Sequence, residues 1–264
     1  MKFQKYDLEK MLVVEKSQGF SNDHHKTKNI VLGTLERLGI KYDITNDESI
    51  KQVDMNKYET ILTLGGDGTF VNAVKYVDRQ NVIGVNSNPN TSVGFLTKFD
   101  KSNVEEFLVR YEKKKFEVEK FYRLGVKIND EEYSQRAVNE ILVGEIDIRH
   151  MSHLDINVNN KSAYVRGNAV LFAAKQGSYA FYKSSGGTPF DINAVGYSLV
   201  LPYSIEGNLE KSEVCDINTK IVVLPRRNSC KVVFDCDDNR TFIVNEKDKI
   251  EVFVDTKKPL SIVK

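Results

Sequence analysis

Five consecutive residues, Gly65-Gly66-Asp67-Gly68-Thr69, constrain this chain more than any other feature. They follow the apolar run Thr60-Ile61-Leu62-Thr63-Leu64, which reads as a buried strand. Phe70, Val71, Val74 and Val77 then recur at helical spacing. Three glycines let the chain turn sharply and bring backbone N–H groups close to a ligand. The start of the following helix adds partial positive charge, which favours a phosphate. The Gly-Lys-Ser/Thr of a Walker A loop is missing, and the glycine spacing is not that of the dinucleotide fingerprint. What the turn carries instead is a carboxylate. Asp67 opposes anion binding by simple charge. It makes sense as the acceptor of a proton from a hydroxyl nucleophile, or as a partner of Mg²⁺ near phosphates. The alternative is a plain tight turn with Asp67 as a helix cap; the strand before it and the helix after it favour function.

The surrounding pattern predicts alternating strand and helix over the first hundred residues. Residues 11–14, 42–45 and 81–85 read as short strands. Ser21, Asn22 and Asp23 offer helix caps, Ile30, Val31, Thr34, Leu35 and Leu38 follow at helical spacing, and Gly39 marks the stop. This rhythm predicts a parallel sheet flanked by helices. Residues 102–111 predict one more helix. Beyond it the chain changes character, with strands expected at 116–121, 124–128, 137–143, 154–158, 169–173, 220–224, 231–234, 241–244 and 250–254. Asn129-Asp130, Asn159-Asn160 and Asp237-Asp238-Asn239 supply turns between them. The expected architecture is α/β plus all-β. Residues 1–100 form a Rossmann-like nucleotide-binding domain with a parallel sheet. Residues 101–264 form a mainly antiparallel, β-sandwich-like domain whose last residues can return to the first.

Composition narrows the function. The 38 Lys and Arg nearly cancel the 37 Asp and Glu, which argues against a nucleic-acid binder. No apolar run is long enough to span a bilayer, and the first ten residues lack the apolar core of a signal peptide. Cys215, Cys230 and Cys236 form no metal-spaced pair and read as free thiols in a reducing compartment, which makes the cytoplasm the expected location. His24 and His25 fall in a polar stretch and are expected at the surface. His150 and His153 lack ligand partners at metal spacing and are expected to be structural or rim residues. Lys113-Lys114-Lys115 are expected to face solvent, Arg226-Arg227 to face solvent or meet a phosphate from a loop, and Asp237 and Asp238 to shape a hairpin turn.

On these residues the sequence resembles the NAD kinase family, within the superfamily that also holds diacylglycerol and sphingosine kinases. All share a turn like Gly65 to Thr69. Residues 82–86 with Gly94-Phe95-Leu96-Thr97 look like the family segment that closes over the adenine of NAD. The inserted Asn88-Pro89-Asn90-Thr91 is similar to the mitochondrial-type branch, as is the run 135–145. Asn139-Glu140 looks like the family's Asn-Glu pair. Gly177-Ser178-Tyr179-Ala180-Phe181 with Ser184-Ser185-Gly186-Gly187 looks like its substrate loop, usually Gly-Ser-Thr-Ala-Tyr followed by Ala-Gly-Gly.

The resemblance implies an ATP-dependent kinase that phosphorylates the 2′-hydroxyl of the adenosine ribose of NAD, with Mg²⁺ arriving on ATP. It implies that Asp67 takes the proton and that Gly65, Gly66, Gly68 and Thr69 cradle phosphates. Phe95 would pack near adenine, and Asn139 and Glu140 would hold the ribose and adenine side. Ser178, Tyr179, Ala180, Phe181 and Ser184 would line the nucleotide pocket. Arg166 and Asn168 would act across an interface in a homodimer or homotetramer, and the cleft would lie between the two domains. Departures are Asn168 where the family commonly has Asp, Tyr179 for Thr, Phe181 for Tyr, and Gln176 before the loop glycine. Two other readings follow from these departures: a superfamily kinase acting on a lipid or another nucleoside, and a non-catalytic dinucleotide-binding homologue.

Overall fold

The computed structural model describes residues 10–91, 94–145, 147 and 149–264. Most of the N-terminal stretch read for targeting, and Ser92 and Val93 of the segment expected over adenine, lie outside them. The chain divides into two units, Met1–Phe121 with Leu260–Lys264, and Tyr122–Pro259.

In the first unit the strands β1 (Met11–Glu15), β2 (Tyr42–Asn46), β3 (Thr60–Gly65) and β4 (Asn81–Asn86) pair in parallel in the order β2-β1-β3-β4. A short β5 (Phe99–Asp100) continues beyond β4 in parallel, as do Ser261 and Ile262 near the chain end. Residues 11–14 and 60–65 are buried throughout, as strands covered by helices on both faces must be. Helix α1 (Asn22–Arg37) starts where the Ser21 side chain accepts the His24 N–H. It stops at Gly39, whose φ of +70° permits a closing pair of bonds, Gly39 N–H to Glu36 and Ile40 N–H to Leu35. Helix α2 (Asp67–Val74) leaves the glycine-rich turn, and α3 (Val104–Glu112) packs beside α1.

The division falls at Phe121, not near residue 100. The cause is α3: Phe107 stacks on Phe99 at 3.8 Å between ring centres and joins Val31 and Leu35 in one core. Backbone bonds between Glu117 and Lys264 tie the next stretch to the same unit. His24 also departs from expectation. His25 is exposed, but His24 is 0% exposed, because its position in the first turn of α1 faces inward. Its Nδ1 meets Ser87 Oγ at 2.9 Å, and burial lowers the pKa of the ring.

The second unit is two antiparallel sheets. After β6 (Val118–Ile128) and β7 (Glu131–Glu132), the chain forms β8 (Glu140–Gly144), β9 (Ser152–Val158), β10 (Lys161–Gly167), β11 (Ala169–Ala174) and a short helix α4 (Phe181–Ser184). It continues through β12 (Ala194–Val200), β13 (Ser204–Gly207), β14 (Ser212–Asp216), β15 (Ile221–Pro225), β16 (Cys230–Phe234), β17 (Thr241–Val244) and β18 (Ile250–Val263). One sheet runs β13-β10-β9-β15-β18 and the other β14-β12-β11-β8-β16-β17. Alternate residues of β9 point inward, and Leu154, Ile156 and Val158 share a core with Ile141, Val143 and Phe172. By contrast β8 and β11 are buried on both faces, since Tyr182 and Phe190 cover the outer side of their sheet. Besides the two-residue β5 and β7, four strands, β10 and β12 to β14, were not anticipated. Gly196 inside β12, the turn at Leu201 and Pro202, and the charged run around Glu210 and Lys211 mask their alternation.

Candidate active site

Sheet order locates the first group of candidate residues. From β1 the chain moves outward to β2 on one side, while β3 and β4 lie on the other. The switch point is therefore between β1 and β3, and ligands of such sheets bind at the carboxyl ends of the strands there. The glycine-rich turn begins at that end of β3, and the Lys16 N–H, just past β1, donates to Leu64 O at 3.1 Å. Each glycine has its own reason. A Cβ on Gly65 would sit 2.3 Å from Thr69 Oγ1, so the helix can fold back on the strand only without one. Gly66 caps α2 with extended backbone. A Cβ on Gly68 would meet nothing within 4 Å. Packing thus gives no reason for a glycine at that exposed helical position, where Ala is better by about 1 kcal/mol.

Asp67 is half-buried and strongly held. Its Oδ1 accepts the Leu96 N–H at 2.9 Å, the Thr97 N–H at 3.2 Å and the Thr97 hydroxyl at 3.2 Å. Its Oδ2 accepts the Phe95 N–H at 2.8 Å. The carboxylate thereby clasps the segment that carries Phe95, whose ring is half-buried with Lys98 Nζ 4.9 Å from its centre. Each carboxylate oxygen offers about two lone pairs. Oδ1 is fully used, and Oδ2 keeps one for an incoming donor. Beside the turn, Ser87 N–H holds Gly65 O at 2.8 Å, and Ser87 Oγ contacts the buried His24.

The second group centres on Asn139 and Glu140, at the start of β8. A Cβ on Gly177 would lie 2.0 Å from Asn139 O, so this loop glycine is pressed on the backbone of the pair. Ala174 N–H donates to Asn139 O at 3.0 Å. Gln176 reinforces the join by donating to Tyr122 O at 2.8 Å and Val138 O at 2.5 Å. Within the loop, Ser178 is fully buried, and its hydroxyl both donates to Phe190 O and accepts the Phe190 N–H. Tyr179 is exposed and donates to Asp191 at 3.0 Å. Ala180 and Ser184 are exposed and Phe181 half-buried. The anchor of the loop is Tyr182, 0% exposed, whose ring occupies the space a Cβ on Gly187 or Gly196 would need.

Arg166 and Asn168 stand elsewhere. Ala169 is the register partner of Gly144, and Ala173 that of Glu140. Asn168 is therefore roughly 17 Å along the strands from Glu140, beyond the opposite end of β8. Its side-chain amide donates to Asp147 O and His150 O, clamping that loop. Arg166 bonds Ser204 at 2.8 Å and lies 5.2 Å from the Tyr203 ring centre.

Electrostatics single out Glu140. It is 4% exposed, and burial, with the Asp235 charge second, raises its pKa to about 7. The Cys236 thiol donates to Oε1 at 3.5 Å, while Oε2 and Asn139 Oδ1 are buried with no hydrogen-bond partner. Two orphaned acceptors on consecutive residues suit ligand groups that bring hydroxyl or amino donors. Asp235, which holds this pair, escaped the sequence reading; its only signal was a turn after β16, where Asp237 and Asp238 drew attention instead.

In sequence and fold the chain is similar to NAD kinases. Residues 7–116 match the family model described as ATP-NAD kinase N-terminal domain. An NAD kinase of Methanothermobacter thermautotrophicus is 31% identical over 156 residues, 58% of this chain, and the chain spans about half (52%) of that relative. An NAD kinase of Fusobacterium nucleatum is 26% identical over 227 residues, covering 84% of this chain and 80% of the relative. Among solved structures, an NAD kinase from Archaeoglobus fulgidus in complex with ATP matches with a TM-score of 0.74 at 23% identity, over 97% of this chain and 93% of that one. Yeast NADH kinase complexed with NADH matches with a TM-score of 0.77 at 17% identity, over 97% and 83%. At such identities the two structures establish the fold alone.

Proposed function

From its similarity to NAD kinases in sequence and fold, we propose that the chain is a member of that family and transfers the terminal phosphoryl group of ATP to the 2′-hydroxyl of the adenosine ribose of NAD, giving NADP and ADP. The observation that carries the reading is the open lone pair on Asp67 Oδ2, in a turn otherwise built from glycine and a helix start. Phosphoryl transfer asks the protein for positioning and charge stabilisation more than for covalent help. Asp67 Oδ2 accepts the hydroxyl proton as the oxygen attacks phosphorus. The first N–H groups of α2 and the backbone of Gly65, Gly66, Gly68 and Thr69 receive phosphate oxygens. Mg²⁺ enters with the triphosphate, as part of that substrate. Phe95 packs on adenine, Asn139 and Glu140 accept ribose and adenine donors, and residues 179–184 line the nucleotide pocket.

Arg166 and Asn168 serve a neighbouring subunit of a homodimer or homotetramer, and the enzyme works in the cytoplasm. No described helix is long and apolar enough to cross a membrane.

The test is an assay of NADP formation with purified protein, ATP and Mg²⁺, run beside lipid and other nucleoside acceptors. Turnover with NAD is expected. Turnover only with a lipid, or binding of NAD without consumption of ATP, would overturn the proposal. Gly68→Ala gives a sharper check of the phosphate cradle. The space is open and the helix gains about 1 kcal/mol, so the variant should melt higher. If phosphate approaches there, KM for ATP should rise at the same time. A stabilised variant with unchanged ATP kinetics would remove Gly68 from the cradle.

A further inference from the structure

Asp235 joins the two features that set Glu140 apart, its fixed backbone and its charge environment. Its side chain is 1% exposed. Oδ1 accepts the Asn139 N–H at 2.7 Å, and both oxygens accept the Val138 N–H, at 2.9 and 3.0 Å. In return the Asp235 N–H donates to Glu140 O at 2.9 Å. Arg240 Nη1 meets Asp235 Oδ2 at 2.7 Å, and its Nη2 donates to Arg136 O. Asp235 and Cys236 have φ of +52° and +50°. Consecutive left-handed residues without glycine are costly and are retained where surrounding structure demands them.

We propose that Asp235, with Arg240 as its counter-charge, is a positioning residue for Asn139 and Glu140: its carboxylate fixes their backbone, and its negative charge acts on the Glu140 carboxyl. The charged and titratable groups around Glu140 are Asp235 and Cys236 on the following turn and Arg240 bound to Asp235. Lys175 follows β11, two residues past Ala173, the register partner of Glu140. Of these, Asp235 disfavours ionisation of Glu140, and Arg240 partly offsets it. On top of burial, the pair therefore adjusts the pH at which Glu140 becomes the acceptor that a ribose diol requires. That last step rests on the function proposed above; the electrostatic coupling does not.

The experiment follows the Glu140 carboxyl by ¹³C NMR in the unliganded protein from pH 5 to 9, with the signal assigned by Glu140→Gln. Asp235→Asn keeps an acceptor for the Asn139 N–H but removes the charge, so the midpoint should fall by about one pH unit or more. Arg240→Gln leaves Asp235 uncompensated, so the midpoint should rise. A purely structural role would not move the two in opposite directions. Should Asp235→Asn fail to fold with Arg240 unpaired, the double variant Asp235→Asn with Arg240→Gln buries no net charge and should also titrate below wild type. Midpoints unchanged in all variants, or moving together, would overturn the proposal. In a second measurement, KM for NAD should track the same midpoints while kcat at saturating NAD changes less. Opposed NMR shifts with no matching change in NAD kinetics would leave the coupling intact and refute the assigned ligand instead.

Discussion

Asp67→Asn should reduce kcat for NADP formation by roughly 10²- to 10⁴-fold, the range expected when a positioned general base is lost. The amide resembles the carboxylate in shape but has no basic lone pair on its nitrogen. The structure adds a second consequence. Asn can place its oxygen where Oδ1 now accepts from Leu96 and Thr97. Its NH₂ then faces the Phe95 N–H, which donates to Oδ2 in the wild type. Two donors facing each other leave both unsatisfied, at a cost of about 1–3 kcal/mol. The variant should therefore melt at a lower temperature and hold the 95–97 segment less firmly. Adenine contacts from Phe95 should weaken with it, so KM for NAD should rise a few-fold while kcat carries most of the loss. Parallel Asp67→Ala measurements separate the two roles, because Ala removes the base and the clasp together. If Asp67→Asn turns over NAD at a near-normal rate, Asp67 is a clasp only and the base must be sought elsewhere.

What sequence reading recovered here was local. The strand, turn and helix around Gly65 to Thr69 follow from a short apolar run and adjacent glycines. The stop at Gly39 follows from one residue able to take positive φ. These signals lie within a few positions of the feature they determine. The parallel sheet was legible for the same reason, since buried strands between helices are unbroken apolar runs. Features that depend on distant partners were not legible. Asp235 lies 95 residues from Glu140 and looks like any turn aspartate until β16 is placed beside β8. The inward turn of His24 depends on Ser87, 63 residues away. Ser178 was expected to line the nucleotide pocket and Asn168 to act across an interface, but the direction each side chain takes is set by Phe190 and by the carbonyls of Asp147 and His150. A hydroxyl beside a glycine gives no sign of whether it faces a ligand or a backbone carbonyl.

Glu140→Gln should make the protein more stable at pH 8 and less active there, with the activity loss shrinking as pH falls below about 7, a combination that separates a ligand-binding carboxylate from a structural one. The ordinary carboxyl pKa of 4.5 is raised to about 7 in the folded state, first by burial and then by Asp235. Between those values the native state keeps a proton that the unfolded chain has released. The favourable contribution is thus complete below pH 4.5 and disappears as pH rises through about 7, a change of about 3 kcal/mol. Gln carries no proton to lose. Its stability relative to wild type should be near zero or slightly negative at pH 5, where its amide must find partners in place of the Cys236 thiol contact. At pH 8 it should reach about 2–3 kcal/mol in its favour, read from urea midpoints at constant m-value. Activity should move the other way. An ionised Glu140 offers Oε2 to a hydroxyl donor, and losing a hydrogen bond to a charged group costs about 1.5–3 kcal/mol, a 10- to 100-fold loss in kcat/KM for NAD. In the wild type, binding that requires the ionised form should tighten as pH rises through about 7 and take up no proton, releasing one instead. A stability difference that stays flat from pH 5 to pH 8 would show that Glu140 is already ionised in the unliganded fold. The two orphaned acceptors at the start of β8 would then have to be explained without it.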